Sequence, residues 1–433
     1  MAEVLKAGEP HGDRANQEVR ATVAEMLAKI EAGGIEAVRE YSATLDDHSP
    51  ASFVLGASEL DALCAQVPAE LAGQIEAAGR RVRGFAEAQR ATLDDLTVEL
   101  EPGVEVGHRL VPVDAVGAYV PGGRYQLIAS ALMSTIPARV AGVERVVVST
   151  PVGPGGTINP ATAYAARFGG ADTVLALGGV QALGALAFGL IDGIPPVAMI
   201  VGAGNAYVAE AKRQLYGQVG IDLLAGPTEI LVIADDSARP RLVATDLLSQ
   251  AEHGPTSPAQ LVTTSRALGE AVLEEIESLL ATWPTREITA AAWERLGAVI
   301  VAADAEEAAA LSDEFAPEHL EIQVRDPDWY HWRLRNYGSL FIGEETTVTF
   351  GDKASGPNHT LPTQHAARYT GGLWVGSFLK TLTYQRLTTE GSKALATASQ
   401  AISEAEGLAG HALAAAARLD LDAFPPLAGA ELG

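Results

Sequence analysis

The chain has 433 residues, of which 48% are apolar, a formal net charge of −25 at pH 7 and one cysteine, Cys64. This length allows a large buried core, and the lone cysteine excludes an intramolecular disulfide framework and fits a reducing compartment. The acidic charge, with no basic cluster to offset it, argues against nucleic acid as a partner. The first residues lack the basic-then-apolar pattern of a secretion signal, so we expect a cytoplasmic protein.

The front of the chain predicts helices. Apolar residues recur at helical spacing from Asn16 to about Leu45, interrupted by a Gly-Gly pair, and helical patterns continue over Ser58–Gln66 and Ala69–Arg90. None of these segments carries a chemical motif. We therefore expect them to serve packing and subunit contacts, with Cys64 packed rather than reactive.

Four apolar segments, each running into a glycine-bearing turn, predict a parallel sheet. Their repeat of roughly 25–30 residues is that of a strand-helix-strand unit, so helices should cover both faces of the sheet. The uncharged run from Thr173 to Ile191 is nearly long enough for a membrane span, but Gly178 and Gly179 divide it into a strand and a helix. No membrane partner is therefore expected. The four strands are Ala115–Val120, Arg145–Thr150, Thr173–Leu177 and Val197–Val201.

The turns after these strands could hold a dinucleotide, because backbone N–H groups at a helix N-terminus suit a pyrophosphate. Ligands of such sheets bind beyond the carboxyl ends of the strands. Yet no turn has the full Gly-x-Gly-x-x-Gly pattern, and the stretch Gly202–Tyr207 has a tyrosine where the third glycine should be. From the residues alone, glycines that serve only tight turns are an equally good interpretation.

A second alternation of strands and helices follows the strand Ile230–Ala234. Two similar sheets in one chain imply a cleft between them. Alanine-rich helical sequence then fills Ala394–Arg418, and Phe424–Leu427 is expected to pack as a tail. The second alternation comprises the strands Gln260–Thr264, Ala298–Ala302, His319–Val324 and Ser339–Gly343 and the helices Leu268–Trp283, Ala305–Phe315 and Asp328–Asn336.

Two pairs of residues could carry chemistry. Gln250 and His253 are three residues apart, so on a helix both side chains leave one face of one turn, and an imidazole and a carboxamide oxygen can both bind zinc. A helix end with a solvated glutamine and a capping histidine is the commoner meaning of such a pair. Glu318 and His319 follow Pro317 just before a predicted strand, where a turn could direct both into a cleft for acid–base work. An exposed glutamate beside a packed histidine is the alternative.

Two further segments hold polar residues in suggestive positions. Asp352 and His359 lie in a stretch rich in glycine and proline, where a loop is expected. Glu406 and His411 lie on one alanine-rich helix, where a solvated face is the alternative interpretation. Gln250, His253, Asp352 and His411 together make a four-ligand set of nitrogen and oxygen donors that suits zinc.

Five motifs, in order along the chain, closely resemble those of the histidinol dehydrogenase family. The resemblance implies two Rossmann-like parallel-sheet domains of the aldehyde dehydrogenase type, a helical N-terminal segment, and a helical C-terminal segment exchanged between the subunits of a homodimer. It places the first domain at 1–103 and 229–365, the NAD-binding domain at 104–228 and the exchanged segment at 366–433. The motifs are Ala225–Glu229, Ser249–His253, Ala316–His319, Ser355–Pro362 and Glu406–His411.

The resemblance also implies the chemistry. Zinc held by the four ligands, with two NAD used in turn, would oxidise a primary alcohol to an aldehyde and then to a carboxylate. His319 is expected to take the hydroxyl proton and Glu318 to activate the water that hydrates the aldehyde. Glu406 and His411 would serve the site of the partner subunit. The substrate is expected to contact Thr228, Gln250, His253, His319, Asp352, His359, Glu406 and His411, and NAD to contact Tyr119, Gln181 and Asn205.

The resemblance leaves two substrates open. L-Histidinol, the alcohol of histidine biosynthesis, is cationic and would suit Glu406, whereas an anionic sulfonate would need a cation such as Arg124 or Arg368. A zinc hydrolase in which Glu318 activates metal-bound water, and an inactive homologue that only binds a ligand, are the other classes considered. Three stretches look more like the paralogous branch that includes sulfopropanediol dehydrogenases: Pro121–Tyr125, Gly202–Asn205 and Ala367–Phe378.

Overall fold

The computed structural model describes residues 2–9, 15–123 and 125–420, and the chain divides into two compact units. The first unit comprises residues 1–90 and 113–378, and the second comprises residues 91–112 and 379–433. The predicted α/β class with parallel sheets is confirmed. The exchange of the C-terminal segment between subunits stays a prediction, and Phe424–Leu427 lies outside the described residues.

The elements are numbered in chain order. The strands are β1 (Glu3–Lys6), β2 (Leu96–Glu101), β3 (Val104–Pro112), β4 (Ala115–Tyr119), β5 (Arg145–Thr150), β6 (Thr173–Ala176), β7 (Met199–Val201), β8 (Gly220–Ile221), β9 (Ile230–Ala234), β10 (Ala259–Thr263), β11 (Ala298–Val301), β12 (His319–Gln323), β13 (Ser339–Ile342) and β14 (Leu379–Leu387). The helices are α1 (Ala15–Asp46), α2 (Ala57–Cys64), α3 (Ala69–Arg90), α4 (Ile128–Ala141), α5 (Pro160–Gly169), α6 (Gly179–Phe188), α7 (Ala206–Leu215), α8 (Pro240–Ala251), α9 (Arg266–Leu280), α10 (Arg286–Leu296), α11 (Ala305–Phe315), α12 (Pro327–His331), α13 (Val348–Lys353), α14 (Thr389–Ala405) and α15 (Ala409–Leu419).

The first sheet of the first unit is fully parallel and has the strand order β6-β5-β4-β7-β8. The chain moves outward from β4 to β6 on one side and then returns to place β7 on the other side of β4. β4 and β7 therefore flank the topological switch point, where the loops beyond the strands diverge and leave a crevice. This arrangement confirms the four strands predicted from the glycine turns.

The second sheet of the first unit has the order β1-β11-β10-β9-β12-β13. Its strands are parallel except for β1, which pairs antiparallel with β11 at the edge. Central strands such as β9 are buried on both faces and read as continuous apolar runs, as parallel strands do. In the register, His319 lies opposite Ile230, so the residues that precede β9 and β12 lie side by side.

The helices confirm most of the predicted segments, although some of them end at other residues. α1 contains the predicted interruption, because Gly34 has a φ of 61° and a ψ of −146° inside it. α12 ends at His331 and not at Asn336 as predicted. Leu334, in the segment after the helix, packs into the core. The uncharged run tested as a membrane span forms β6 and α6, and both are buried. Nowhere in the described ranges is there a helix with the length and apolar character needed to cross a bilayer.

The second unit holds a three-stranded antiparallel sheet that the sequence did not predict. Its order is β14-β3-β2, and β14 pairs with β3 over nine register positions from Leu379 to Leu387. β2 is exposed along its whole length, so its residues show no burial pattern. The helices α14 and α15 complete this unit and match the helical sequence predicted near the C-terminus.

Candidate active site

Glu318 and His319 lie at the amino end of β12, next to the segment that leads into β9. Ala316 is buried and left-handed with a φ of 50°, and Pro317 follows it, so the predicted turn is present. Glu318 Oε2 accepts hydrogen bonds from the Thr228 hydroxyl at 2.6 Å and from the Glu229 backbone N–H at 3.0 Å. Two donors from the neighbouring strand thus hold the Glu318 carboxylate in one orientation.

The ring of His319 is buried between two carboxylates. Its Nδ1 donates to the backbone oxygen of Glu229 at 3.0 Å and lies 3.4 Å from Glu318 Oε2. Its Nε2 lies 3.5 Å from Asp352 Oδ1 and makes no hydrogen bond within the described chain. Burial alone would lower the pKa of His319, but the charges and contacts of Glu318 and Asp352 outweigh it and raise the pKa well above its usual value. The unpartnered Nε2 is the atom available to a ligand.

Gln250, His253 and Asp352 line one cavity of about 230 Å³. Gln250 is buried in the last turn of α8, and its amide nitrogen donates to the Thr228 hydroxyl, so its amide oxygen is the atom left for a ligand. His253 follows the helix end, and its Nδ1 contacts the backbone oxygen of Gln250 at 3.2 Å, which leaves Nε2 as the free ring nitrogen. Metal-binding histidines commonly donate their other nitrogen in this way.

Asp352 supplies the carboxylate of this cavity. It lies on α13 and not in the loop expected from its glycine- and proline-rich surroundings, because the helix extends from Val348 to Lys353. Burial acts to raise the pKa of Asp352, but the hydrogen bond and charge of His319 hold it well below its usual range. Asp352 is therefore anionic, as a metal ligand must be.

The donor atoms of the first unit fit a zinc ion in chemical type: an amide oxygen, an imidazole nitrogen and a carboxylate. No group of three or more His, Cys, Asp or Glu side chains is arranged to hold a metal among the described residues. Of the three expected ligands in the first unit, His253 and Asp352 are of these types and Gln250 is not, so the three do not count as such a group. The predicted fourth ligand, His411, belongs to the second unit.

Glu406 and His411 do not share a helix, contrary to the prediction. Glu406 caps the end of α14, His411 lies in α15, and Gly407 with a φ of 76° separates the two helices. Both residues are exposed. Neither side chain forms a hydrogen bond or ion pair with any other residue that the structure describes.

His359 has both ring nitrogens engaged. Its Nδ1 contacts the backbone oxygen of Asp352 at 2.9 Å, and its Nε2 contacts the Ser130 hydroxyl at 2.8 Å. Because a backbone oxygen only accepts, Nδ1 carries the proton and Nε2 accepts from the serine. Burial lowers the pKa of His359, which favours this neutral form. His359 thus fixes the backbone of Asp352 against α4.

A second cavity of about 670 Å³ lies beyond the carboxyl ends of β4 and β7. Asn205, predicted to contact NAD, lines it and caps α7 by accepting from the N–H groups of Tyr207 and Val208. The other two predicted NAD residues are buried and are not among the residues that line it. The hydroxyl of Tyr119 accepts from the Gly179 N–H at 3.2 Å, and Gln181 donates to Asp46 at 2.8 Å.

The turn that opens this second cavity is held tightly. Gly202 has a φ of 113°, and a Cβ there would lie 2.1 Å from the backbone oxygen of Tyr119. Lys212 donates to the Gly202 oxygen at 2.8 Å, and Asp222 accepts from the Gly202 N–H at 2.7 Å. Lys212 and Asp222 also form a buried ion pair. Position 202 therefore requires glycine because β4 approaches it closely, and this requirement does not depend on a bound ligand.

The two cavities meet at the candidate site. Both are lined by Leu127 and His253. The larger one also reaches Thr228, whose hydroxyl holds Glu318. A ligand beyond β4 and β7 can therefore approach a ligand beside Gln250 and His253. The first sheet contributes its carboxyl ends to the site, whereas the second contributes its amino ends, an arrangement that was not predicted.

Sequence reasoning missed a pair of buried carboxyl groups beneath the site. Glu321, in the middle of β12, is fully buried, and Asp246 lies one helical turn before Gln250. Burial raises the pKa of each carboxyl, and the two are hydrogen-bonded to one another, so the pair keeps a proton. The signal for Glu321 was a lone acidic residue within an apolar strand.

Glu229 is a third buried carboxyl that was missed. Its Oε1 accepts from the backbone N–H of Gln364 at 3.2 Å. Gln364 and His365 are both left-handed, with φ values of 54° and 64°. Burial, with the charge of Glu318, raises the pKa of Glu229 to about 8. At neutral pH Glu229 is therefore protonated and anchors a strained loop.

Comparisons with known proteins by sequence and by structure point to one family. The family model for histidinol dehydrogenase matches residues 10–419. Sulfopropanediol 3-dehydrogenase of Ruegeria pomeroyi is 51% identical over 93% of this chain and 92% of its own length. A histidinol dehydrogenase homolog of Shouchella clausii is 48% identical over 97% of this chain and 99% of its own. The crystal structure of histidinol dehydrogenase from Elizabethkingia anophelis is 33% identical, covers 96% of this chain and 94% of its own, and superposes with a TM-score of 0.88.

The raised pKa of Glu229 predicts how stability depends on pH. An unfolded glutamate titrates near 4.5 and the folded one at about 8, so between these values the folded chain holds a proton that the unfolded chain has lost. Stability should therefore fall as pH rises through this window. Glu229→Gln keeps an acceptor for Gln364 and cannot titrate. From pH 5 to pH 8 its unfolding free energy should rise relative to the wild type by on the order of 3 kcal/mol.

The measurement is urea unfolding at several pH values with a chelator present. Glu270→Gln is the matched control, because Glu270 is exposed and pairs only with Arg266. Parallel pH profiles for Glu229→Gln and the wild type would show that Glu229 is ionised in the folded protein.

Proposed function

Because the chain belongs to the histidinol dehydrogenase family and is an oxidoreductase, we propose that it oxidises a small polar primary alcohol through the aldehyde to the carboxylate, using zinc and NAD. The observation that supports this most directly is that the cavity lined by Gln250, His253 and Asp352 joins the crevice beyond β4 and β7 at His253. L-Histidinol and sulfopropanediol are the two substrates to compare.

In this proposal His319 is the base that removes the proton of the alcohol hydroxyl. Its Nδ1 is committed to the backbone oxygen of Glu229, so its Nε2 receives the proton. The two flanking carboxylates raise the pKa of His319 when no cation is bound. With Asp352 neutralised by a metal, this pKa falls towards neutrality, where an imidazole acts best as a general base.

In this proposal Glu318 activates water in the second step. Thr228 and Glu229 hold its Oε2, so the carboxylate keeps a fixed orientation while its Oε1 is left to bind a water. A carboxylate with one oxygen anchored can take a proton without rotating away. Hydration of the aldehyde gives a second alcohol-like centre, and the second hydride can then leave from it.

The residues that would hold zinc are Gln250, His253 and Asp352, with His411 of a second subunit. Zinc would orient the alcohol and polarise its oxygen, and NAD, in the crevice that Asn205 lines, would accept the hydrides. The chain itself supplies the proton acceptor, the water-activating carboxylate and the walls that exclude bulk water.

We also propose that the second unit is covered by a second copy of this chain. Within the described part of that unit the buried residues are few: Val104, Gly107, Gly391, Ala396 and Ala412. A unit with so small a core needs apolar cover from elsewhere. Nine of its large apolar side chains are exposed in the described chain: Leu96, Val98, Leu100, Leu382, Leu387, Ile402, Leu408, Leu413 and Leu419.

The zinc assignment predicts a metal-free variant. Asp352→Asn should weaken zinc binding by more than about 100-fold, because the loss of outer-shell partners alone costs roughly 10–100-fold. Metal analysis after dialysis should find about one zinc per wild-type chain and almost none in the variant. Asp236→Asn, at an exposed ion pair with Arg325, is the control. Equal zinc in all three proteins, or none in the wild type, would remove Asp352 from the metal site.

The assignment of Glu318 predicts that its loss separates the two oxidation steps. Glu318→Gln should still form about one NADH per site from the alcohol but lose roughly 10²–10⁴-fold in oxidation of the aldehyde. Single-turnover assays that start from the alcohol and from the aldehyde distinguish the two. Glu270→Gln should behave as the wild type. Equal losses with both substrates would contradict a role confined to the second step.

The exchanged segment predicts complementation between two inactive variants. His319→Asn and His411→Ala should each lose at least about 100-fold in activity. If His411 serves the neighbouring subunit, a mixed dimer has one complete site and one doubly defective site. Purified mixed dimers should then have about one half of the wild-type rate, and the unseparated co-expression product about one quarter. Dimers purified through two different tags provide the measurement. Purified mixed dimers without activity would show that each chain uses its own His411.

A further inference from the structure

Of the lysines and arginines that the structure describes, one lines the cavity that holds Gln250, His253 and Asp352. Lys353 is the last residue of α13 and contributes to the wall of this cavity. Its side chain is half exposed, and its Nζ lies 3.6 Å from Asp352 Oδ2. This separation exceeds the roughly 2.7–2.9 Å of a charge-assisted hydrogen bond. The ammonium is close to the site and is not committed to another residue that the structure describes.

Two other cations were considered for an anionic substrate. Arg124 lies outside the described residues. Arg368 is exposed and donates to the backbone oxygen of His365 at 3.1 Å, away from the lining of this cavity. Within the described part of the chain, Lys353 is therefore the positive charge beside the candidate ligands.

The negative charges around Lys353 do not cancel it once the site is loaded. Asp352 is the carboxylate within 4.0 Å of its Nζ, and in the proposed function this carboxylate is shared with zinc. Glu252 is the other carboxylate of the lining, and its Oε2 accepts from the Thr285 hydroxyl at 3.0 Å. The three positive charges of a divalent zinc and Lys353 then exceed the two negative charges of Asp352 and Glu252 by one, which favours an anion and disfavours an ammonium group.

The volume of the cavity limits the size of the substrate. Its volume of about 230 Å³ is below the roughly 300–1,000 Å³ of pockets that hold drug-sized ligands. A three-carbon alcohol with one compact charged group meets this limit. The acceptor oxygens of a sulfonate or carboxylate also match an ammonium with three donors.

We propose that Lys353 makes this enzyme selective for small primary alcohols that carry an anionic group, a sulfonate or a carboxylate. Alcohols that carry a cationic group are poor substrates by the same argument. The proposal rests on the proposed function for the alcohol chemistry, and it adds the class of substrate. Lys353 binds the anionic group, while Gln250, His253 and Asp352 lie on the side of the hydroxyl.

The test uses a series of three-carbon compounds that carry at least two hydroxyl groups and differ in charge. Sulfopropanediol and glycerate are anionic, glycerol is neutral, and 3-aminopropane-1,2-diol is cationic; L-histidinol is assayed with them. With zinc-loaded wild-type protein and NAD, we expect kcat/KM for an anionic alcohol to exceed that for glycerol by at least about 100-fold, since both a charge and its hydrogen bonds are gained. The ratio between sulfopropanediol and glycerate identifies the preferred anion.

Lys353→Met keeps most of the aliphatic stem and removes the charge. We expect it to lose about 10–100-fold in kcat/KM for the anionic alcohol, mainly through KM, with glycerol unchanged. Lys353→Arg should retain activity within a few-fold, and Lys353→Glu should favour the cationic diol. Lys29→Met is the matched control, because Lys29 pairs with Glu40 on α1 and lines neither cavity.

Binding of propane-1-sulfonate, followed by calorimetry, provides a readout that does not need turnover. Its affinity should fall in Lys353→Met to the same extent as kcat/KM and should be unchanged in Lys29→Met. An unchanged preference in Lys353→Met, or a wild-type preference for L-histidinol, overturns the selectivity while leaving the alcohol oxidation intact. If no alcohol forms NADH, the proposed function fails, and the calorimetry alone then decides whether Lys353 binds anions.

Discussion

The site depends on a shared proton between two buried carboxyl groups. Asp246 on α8 and Glu321 on β12 are hydrogen-bonded to one another, and Gln323 donates to both of them. The Val348 N–H, at the start of α13, donates to Glu321 at 3.0 Å. Three elements are thus joined at one point, and these elements carry Gln250, His319 and Asp352. A buried carboxylate pair with two charges would repel itself, so the proton is what allows the three elements to stay together. A small displacement of any of them would change the geometry of the site above it.

The two sheets contribute to the site from opposite ends of their strands, and this has a physical reason. A long cofactor such as the proposed NAD needs backbone that approaches closely, and the glycine-bearing turns beyond β4 and β7 would provide it at the switch point of the first sheet. Acid–base chemistry needs side chains held at fixed distances. The register of β9 and β12 places Thr228 and Glu229 beside Glu318 and His319. Backbone groups of one strand then orient the reactive side chains of the next. The first sheet leaves space for a ligand, and the second sheet holds the side chains of the site at fixed positions.

These differences explain what the sequence could and could not predict. The parallel strands were predictable because both of their faces are buried, so Ile230–Ala234 is a continuous apolar run. β2 and β14 were missed because their residues are largely exposed, and β3 was missed because its mostly half-buried residues show no such pattern. The spacing of Gln250 and His253 suggested a ligand pair, whereas Asp352 was grouped with them by the chemical type of its donor and not by its spacing. Glu229, Asp246, Glu321 and Lys353 were missed, since their meaning comes from neighbours far away along the chain. Whether a carboxyl is buried and which residue it contacts depend on the tertiary structure, and local sequence periodicity does not indicate either.

The division into two units also bears on how the proposed metal site would form. A tetrahedral zinc takes four ligands, or three and a substrate oxygen, and the first unit offers Gln250, His253 and Asp352. If His411 of the partner subunit completes the set, metal binding and association become linked, because each stabilises the state that the other requires. A cation bound by three donors in an unassembled chain would be held less tightly, and its bound substrate would be more exposed to water. Assembly would then do more than cover the apolar side chains of the second unit. It would couple the completed coordination of the metal to the exclusion of solvent from the alcohol, so that oxidation proceeds only where both subunits contribute.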